Sequence, residues 1–238
     1  MSALGFNDAN GSSKSSKIDY MTINVGENRF RMLPNSILPG YDYWVEGYDK
    51  EGKKKNFPFP CLQFNRSIER FDNSVACPIR ASGLEGLNFK KEVVPLPSKY
   101  AYKCLVWDYA ESKVVVLSLK KTMFTGIKSI AKQLKKDPTS IEDGFDVVLE
   151  KKKTGSKVWD VEYNILAIAC MGNQGPVEDP DQLTQMEDAK SIDEMFPYPT
   201  YEEQEKRLAD HLNPIKTQAG AGNEAQNKAE GEAVNDLG

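Results

Sequence analysis

Aromatic rings and cations recur together along this chain. Together they can hold a single-stranded nucleic acid, because bases stack on rings while phosphates need positive charge. The densest run is Tyr100 to Lys121, YAYKCLVWDYAESKVVVLSLKK, which contains Tyr100, Tyr102, Lys103 and Trp107 and ends on Lys120 and Lys121. Tyr43 and Trp44 precede the triplet Lys53, Lys54 and Lys55, and Arg29 and Arg31 alternate with apolar residues in NRFRML. These are the candidate contacts to a strand, rings as stacking platforms and cations as phosphate partners. Core rings beside solvated lysines would give the same composition, so the elements that carry the residues have to decide.

Other chemistries find less support. The single histidine, His211, lies in a polar C-terminal stretch, which excludes a histidine-based catalyst or metal site from the body of the chain. No Gly-rich phosphate loop of the GxxxxGK[ST] type is present. Cys61, Cys77, Cys104 and Cys170 have no tight spacing and read as buried thiols, so neither a metal nor a cofactor is expected. Asp146, Glu150 and Lys152 resemble the carboxylate and Glu-x-Lys arrangement of metal-dependent nucleases, in which acids hold the ion and lysine steadies developing charge. Yet Asp146 lies only four residues before Glu150 on one short strand, and a lysine-rich hairpin tip explains the same letters. The chain is read as a binding protein and not an enzyme, with the nuclease as the alternative.

The positioning elements are mostly strands. YAYKCLVW and VVVLSL, rich in β-branched and aromatic residues and separated by DYAESK, predict a central hairpin. Asn28 to Leu33 predicts a first strand, cationic on one face and apolar on the other, that stops at Pro34. Tyr41 to Asp49 and Asn56 to Leu62 predict a second hairpin with a lysine-rich tip. Pro58 and Pro60 cannot donate to a ladder, so its second strand belongs at an edge. Residues 63–97 are irregular. Thr125 is expected to cap a helix running to Lys136, with Ile127, Ile130, Ala131 and Leu134 on one side. Phe145 to Glu150 and Lys157 to Ala169 predict a last hairpin around KKKTGSK. One or two short helices are expected within 181–212.

Charge divides the chain. Residues 1–171 hold 26 Lys and Arg against 20 Asp and Glu, a net of +6, whereas residues 172–238 hold 5 against 15, a net of −10. The domain reading is a flexible arm over 1–20, a nucleic-acid-binding core over 21–171, and an acidic tail over 172–238 that is helical at first and then disordered. No membrane partner is expected, since no stretch reaches the roughly 20 apolar residues of a span. The N-terminus lacks the apolar core of a signal peptide.

The order of NRFRMLPNS, the central hairpin leading into a helix, and GFDVVLEKKKTGSKVWDVEYNIL resembles the phage replicative single-stranded DNA-binding proteins, similar to the helix-destabilising protein of T-even phages. The likeness covers residues 28–170 and the acidic tail. It implies a mainly β, OB-fold-like barrel of five to six strands with one helix after the central hairpin. It also implies sequence-tolerant binding to single-stranded DNA, self-association on DNA, and a tail that recruits replication and repair proteins. The setting would be DNA replication, recombination and repair in the cytoplasm of an infected bacterium. The family's basic residue of the first strand falls on Arg31, and its aromatic at the start of the central hairpin falls on Tyr100. Members that bind zinc use three Cys and one His in the core, where this chain offers only Cys61 and Cys77. The family's basic Ser/Thr motif is reduced to SSKSSK. An RNA-binding OB protein would use the same rings and lysines, and only contacts to the 2′-hydroxyl separate the two.

Overall fold

In the computed structural model the described residues are 18–48, 53–88, 90–157 and 160–212. The N-terminal arm up to 17, the centre of the KEGKKK tip and the stretch from 213 onward lie outside them, and so do the expectations of disorder placed there. The chain divides into two compact units: residues 18–36, 104–118 and 125–190 form one, and residues 37–103, 119–124 and 191–212 form the other.

The first unit is built on a five-stranded sheet. Strands β1 (Gly26–Leu38) and β2 (Tyr41–Tyr48) are followed by β3 (Lys54–Pro60), the short β4 (Phe64–Asn65) and β5 (Arg70–Phe71), helix α1 (Pro78–Ala81), and β6 (Glu85–Leu87), β7 (Val93–Pro95) and β8 (Lys99–Tyr100). Then come β9 (Tyr102–Asp108) and β10 (Lys113–Leu119), helix α2 (Lys121–Leu134), β11 (Val147–Lys153), β12 (Val161–Ile165) and helices α3 (Ala167–Gly172), α4 (Pro180–Glu187), α5 (Ile192–Met195) and α6 (Tyr201–Leu212). The large sheet has the order β10-β9-β1-β11-β12. Its centre is apolar on both faces: Phe30 faces Val147 across the β1–β11 ladder, and Val147, Val148 and Leu149 are all buried. Each such side chain contributes about 1.5–3 kcal/mol on burial.

The second unit carries a three-stranded sheet, β3-β2-β8, and two small hairpins, β4–β5 and β6–β7. β2 and β3 pair over their full length, from Asp42 opposite Pro60 to Tyr48 opposite Lys54. β3 is an edge strand, the place its two prolines require. Helix α6 lies on this ribbon through Gln204, Leu208 and His211, buried residues at spacings of four and three.

Several expectations change. The protein is mainly β with several antiparallel sheets, but they are open, and no closed barrel is formed among the described residues. β1 does not stop at Pro34: exposed Pro34 and Asn35, the latter at φ 49°, make a local kink, and Ser36 re-anchors the strand by donating to the carbonyls of Leu33 and Leu105. α2 begins at Lys121, so Thr125 lies inside it, and it ends before Lys135 at φ 53°. The last hairpin gives way to α3 at Ala167. Of the 15 acidic side chains beyond residue 171, 11 fall within 172–212, the stretch that forms α4, α5 and α6. No helix among the described residues is long and apolar enough to cross a membrane.

Candidate nucleic-acid interface

The β2–β3 ribbon of the second unit has two unlike faces. Alternation sends Tyr43, Val45 and Gly47 inward and Trp44, Glu46 and Tyr48 outward, and the burial follows: Tyr43 is 3% exposed, whereas Trp44 is 45% and Tyr48 37% exposed. α6 seals the inner face. Gln204 donates to the Pro60 carbonyl at 2.7 Å and Arg207 to that of Pro58 at 3.1 Å, with the Arg207 guanidinium over the Phe59 ring. His211 stands edge-on to Phe57 with Nε2 3.3 Å from the Val45 carbonyl. A Cβ on Gly47 would lie 2.2 Å from that His211 nitrogen, so only glycine permits the approach. Beneath the helix, the Cys61 thiol donates to the Tyr43 hydroxyl at 3.3 Å, and burial pushes the phenol well above its ordinary value.

The outer face is open. Trp44 lies opposite Pro58 and Tyr48 opposite Lys54, and the two rings stand about 13 Å apart along the strand, so each can take a base of its own. Lys54 pairs with Glu46 at 2.8 Å, which cancels the one carboxylate between the rings. Lys53 and Lys55 are exposed at the tip, with Lys55, opposite Gly47, on the other side of the ribbon from Lys54.

The other candidates lie elsewhere. Arg31 is 2% exposed in the first unit, held by Asp146 at 3.3 Å and by the carbonyls of Ser140 and Gly175 at 2.7 and 2.8 Å. A Cβ on Gly144 would come within 2.8 Å of its Nη2. The cationic face foreseen for the first strand is therefore covered at Arg31, whereas Arg29 remains half-exposed, paired with the same Asp146 and stacked on Tyr109. Asp146 also accepts from the Tyr109 hydroxyl, and Glu150 pairs with Lys152 at 2.9 Å. Both carboxylates of the nuclease reading thus face side-chain cations, and the described residues contain no group of three metal-ligating side chains. Trp107 is 5% exposed in the core of the first unit.

Tyr100 and Tyr102 stack face to face at 4.1 Å in the second unit, and buried Tyr102 donates to Glu69 at 2.7 Å. Lys103 reaches Asp42 at 3.5 Å and lies over the Phe196 ring. Lys120 and Lys121 are exposed where β10 passes into α2. Sequence reasoning missed Tyr48, although a period of two from Trp44 points to it. It also missed Phe71, 48% exposed on β5, and Arg66, whose guanidinium stacks on the Tyr198 ring. That last pair is 132 residues apart and left no local signal.

No family model matches the chain. A curated relative does: the "Probable ssDNA-binding protein" of Escherichia phage T5 is 32% identical over 221 aligned residues, covering 81% of this chain and 80% of the relative. At that identity and coverage, the chain belongs to the family of this phage T5 protein.

Proposed function

We propose that the protein binds single-stranded DNA on the outer face of the β2–β3 ribbon, with Trp44 and Tyr48 stacking on bases and Lys53, Lys54 and Lys55 meeting phosphates. The observation that carries this reading is the pair of outward rings beside a lysine tip, on a ribbon whose other face is sealed by α6. The name of the phage T5 relative supports it. Stacking is sequence-tolerant because every base has a face to offer, which suits a protein that coats and protects single strands. Replication, recombination and repair of phage DNA in an infected bacterium are its setting in this reading. The acidic C-terminal stretch recruits proteins of those processes, and copies associate along the strand.

The test is a titration at moderate salt with an oligonucleotide, its duplex and the RNA of the same sequence. The single strand of DNA should bind best; a duplex that binds as well or better overturns the reading, and a tighter RNA moves it to RNA. With three lysines on phosphates, the log-log salt slope should be about −2.

A further inference from the structure

The second unit also contains an open cavity of about 460 Å³ that none of the contacts expected from the sequence lines. Its walls come from the segment after β3, the β4–β5 hairpin with the residues that follow it, and the segment around α5; Asn65 and Ser67 join Gln63, Arg66, Asp72, Asp193 and Tyr198 as the polar members. The size lies within the range of small-molecule sites, about 300–1,000 Å³.

Its chemistry is specific. The Tyr198 hydroxyl is engaged by the carbonyls of Cys61 and Phe64, which fixes the ring in the wall. Arg66 lies over that ring at 4.2 Å, and one of its nitrogens donates to the Phe196 carbonyl at 3.0 Å. Its Nε is buried with no hydrogen-bond partner, and no carboxylate among the described residues stands within ion-pairing distance of it. Burial lowers its pKa, the mark of a guanidinium short of solvent. The cavity therefore has a guanidinium without a carboxylate partner on one wall and two carboxylates, Asp72 and Asp193, on the others. One oxygen of Asp72 already accepts from Ser74, and Gln63 spends its amide N–H groups on the carbonyls of Asn73 and Val75.

A phosphate would satisfy Arg66 but meet the two carboxylates. A base with a carbonyl acceptor beside N–H donors satisfies both sides, and its ring can lie on the guanidinium. Guanine offers this pattern with both a ring N–H and an amino group beside the carbonyl. Cytosine sets a ring acceptor between its carbonyl and its amino group, and that acceptor would face a carboxylate. Adenine lacks the carbonyl, and thymine, with one ring N–H between two carbonyls and no amino group, offers a carboxylate a single donor where guanine offers two. Resting on the single-strand reading, we infer that this cavity is a base-selective subsite that accepts one guanine of a bound strand, through Arg66 and Asp193.

The test compares the full chain's affinity for an oligo-dT strand with that for the same strand carrying one central dG, dC or dA. The dG strand should bind about 5- to 20-fold tighter than oligo-dT, and the dC and dA strands no tighter than oligo-dT. Arg66→Gln and the surface substitution Asp193→Asn should each erase the dG preference while leaving the oligo-dT affinity unchanged. Thermal melting of both variants verifies folding, and Asp193→Asn keeps the test decisive if Arg66→Gln fails to fold. Trp44→Ala should instead weaken all four strands alike. Equal affinity for the four strands in the wild type, or a dG preference that survives Asp193→Asn, overturns the subsite and leaves single-strand binding intact. Failure of every strand to bind overturns the single-strand reading itself.

Discussion

Two hairpins of this protein have nearly the same composition and opposite fates. The central one, β9–β10, carries Tyr102, Trp107 and flanking lysines, and the earlier one, β2–β3, carries Tyr43, Trp44, Tyr48 and a lysine tip. β9 lies between β10 and β1 in a five-stranded sheet, and Cys104, Leu105, Val106 and Trp107 are buried in succession, so both of its faces are core. β3 is an edge, and only one face of its ribbon meets a helix. Rings become available for stacking where a ribbon has a single covered face, and the letters of the ribbon do not say which kind it is.

The comparison can be broken at its support. Ending the chain after Thr200 removes α6 and bares Phe57, Phe59 and Tyr43, so the second unit should lose its cooperative unfolding transition, read by circular dichroism. Ending it after Leu212 should leave that transition in place. Loss in both, or in neither, would mean that α6 is not what separates the two faces. Gly47→Ala, which sets a methyl against His211, should lower the melting temperature in the same direction with a smaller effect.

The paired tryptophans give the next largest effect. Trp107→Ala should cost about 3–5 kcal/mol of folding stability in chemical denaturation, as a ring lost from a packed core does. Trp44→Ala should leave stability within about 0.5 kcal/mol and cost about 1–3 kcal/mol of single-strand binding. A Trp44 variant with unchanged affinity would place the strand on another surface, and a marginal stability loss at Trp107 would mean that the central hairpin is less buried than β2–β3 by any functional measure.

The smallest expected effect sharpens the view beneath the ribbon. The Cys77 thiol is held below its ordinary value, chiefly by its contact with the Cys61 sulfur, with backbone N–H groups of Arg80, Leu62 and Ile79 adding to it against burial. Its folded value lies below the ordinary 9.0, so its contribution to stability is complete above about pH 9 and shrinks as pH falls towards 5. Cys61 is raised by the same contact, and its contribution is withdrawn above pH 9. Urea midpoints should therefore rise between pH 5.5 and 8.5. Cys77→Ser should flatten the slope, and an unchanged slope would exclude Cys77 as its source.

Period and breakers alone located most of the strands. Alternation marked β2, β9 and β10, the prolines of NFPFP assigned β3 to an edge, and the three- and four-residue spacing of Ile127, Ile130, Ala131 and Leu134 found α2. These are local properties, fixed by how far apart side chains recur on a pleated or helical backbone. Three things were decided only by the tertiary structure. Arg31 is a cation in a strand, and its burial depends on Asp146 and two carbonyls more than 100 residues away. The acidic C-terminal stretch reads as a tail, yet Gln204, Leu208 and His211 make α6 the cover of the ribbon because the inner face of β2–β3 has no other apolar partner within its own hairpin. Arg66 and Tyr198 form a wall only because the segment after α5 returns to β4. Burial and the assembly of a site are properties of what packs against a residue, and the partner's place in the sequence carries no trace of it.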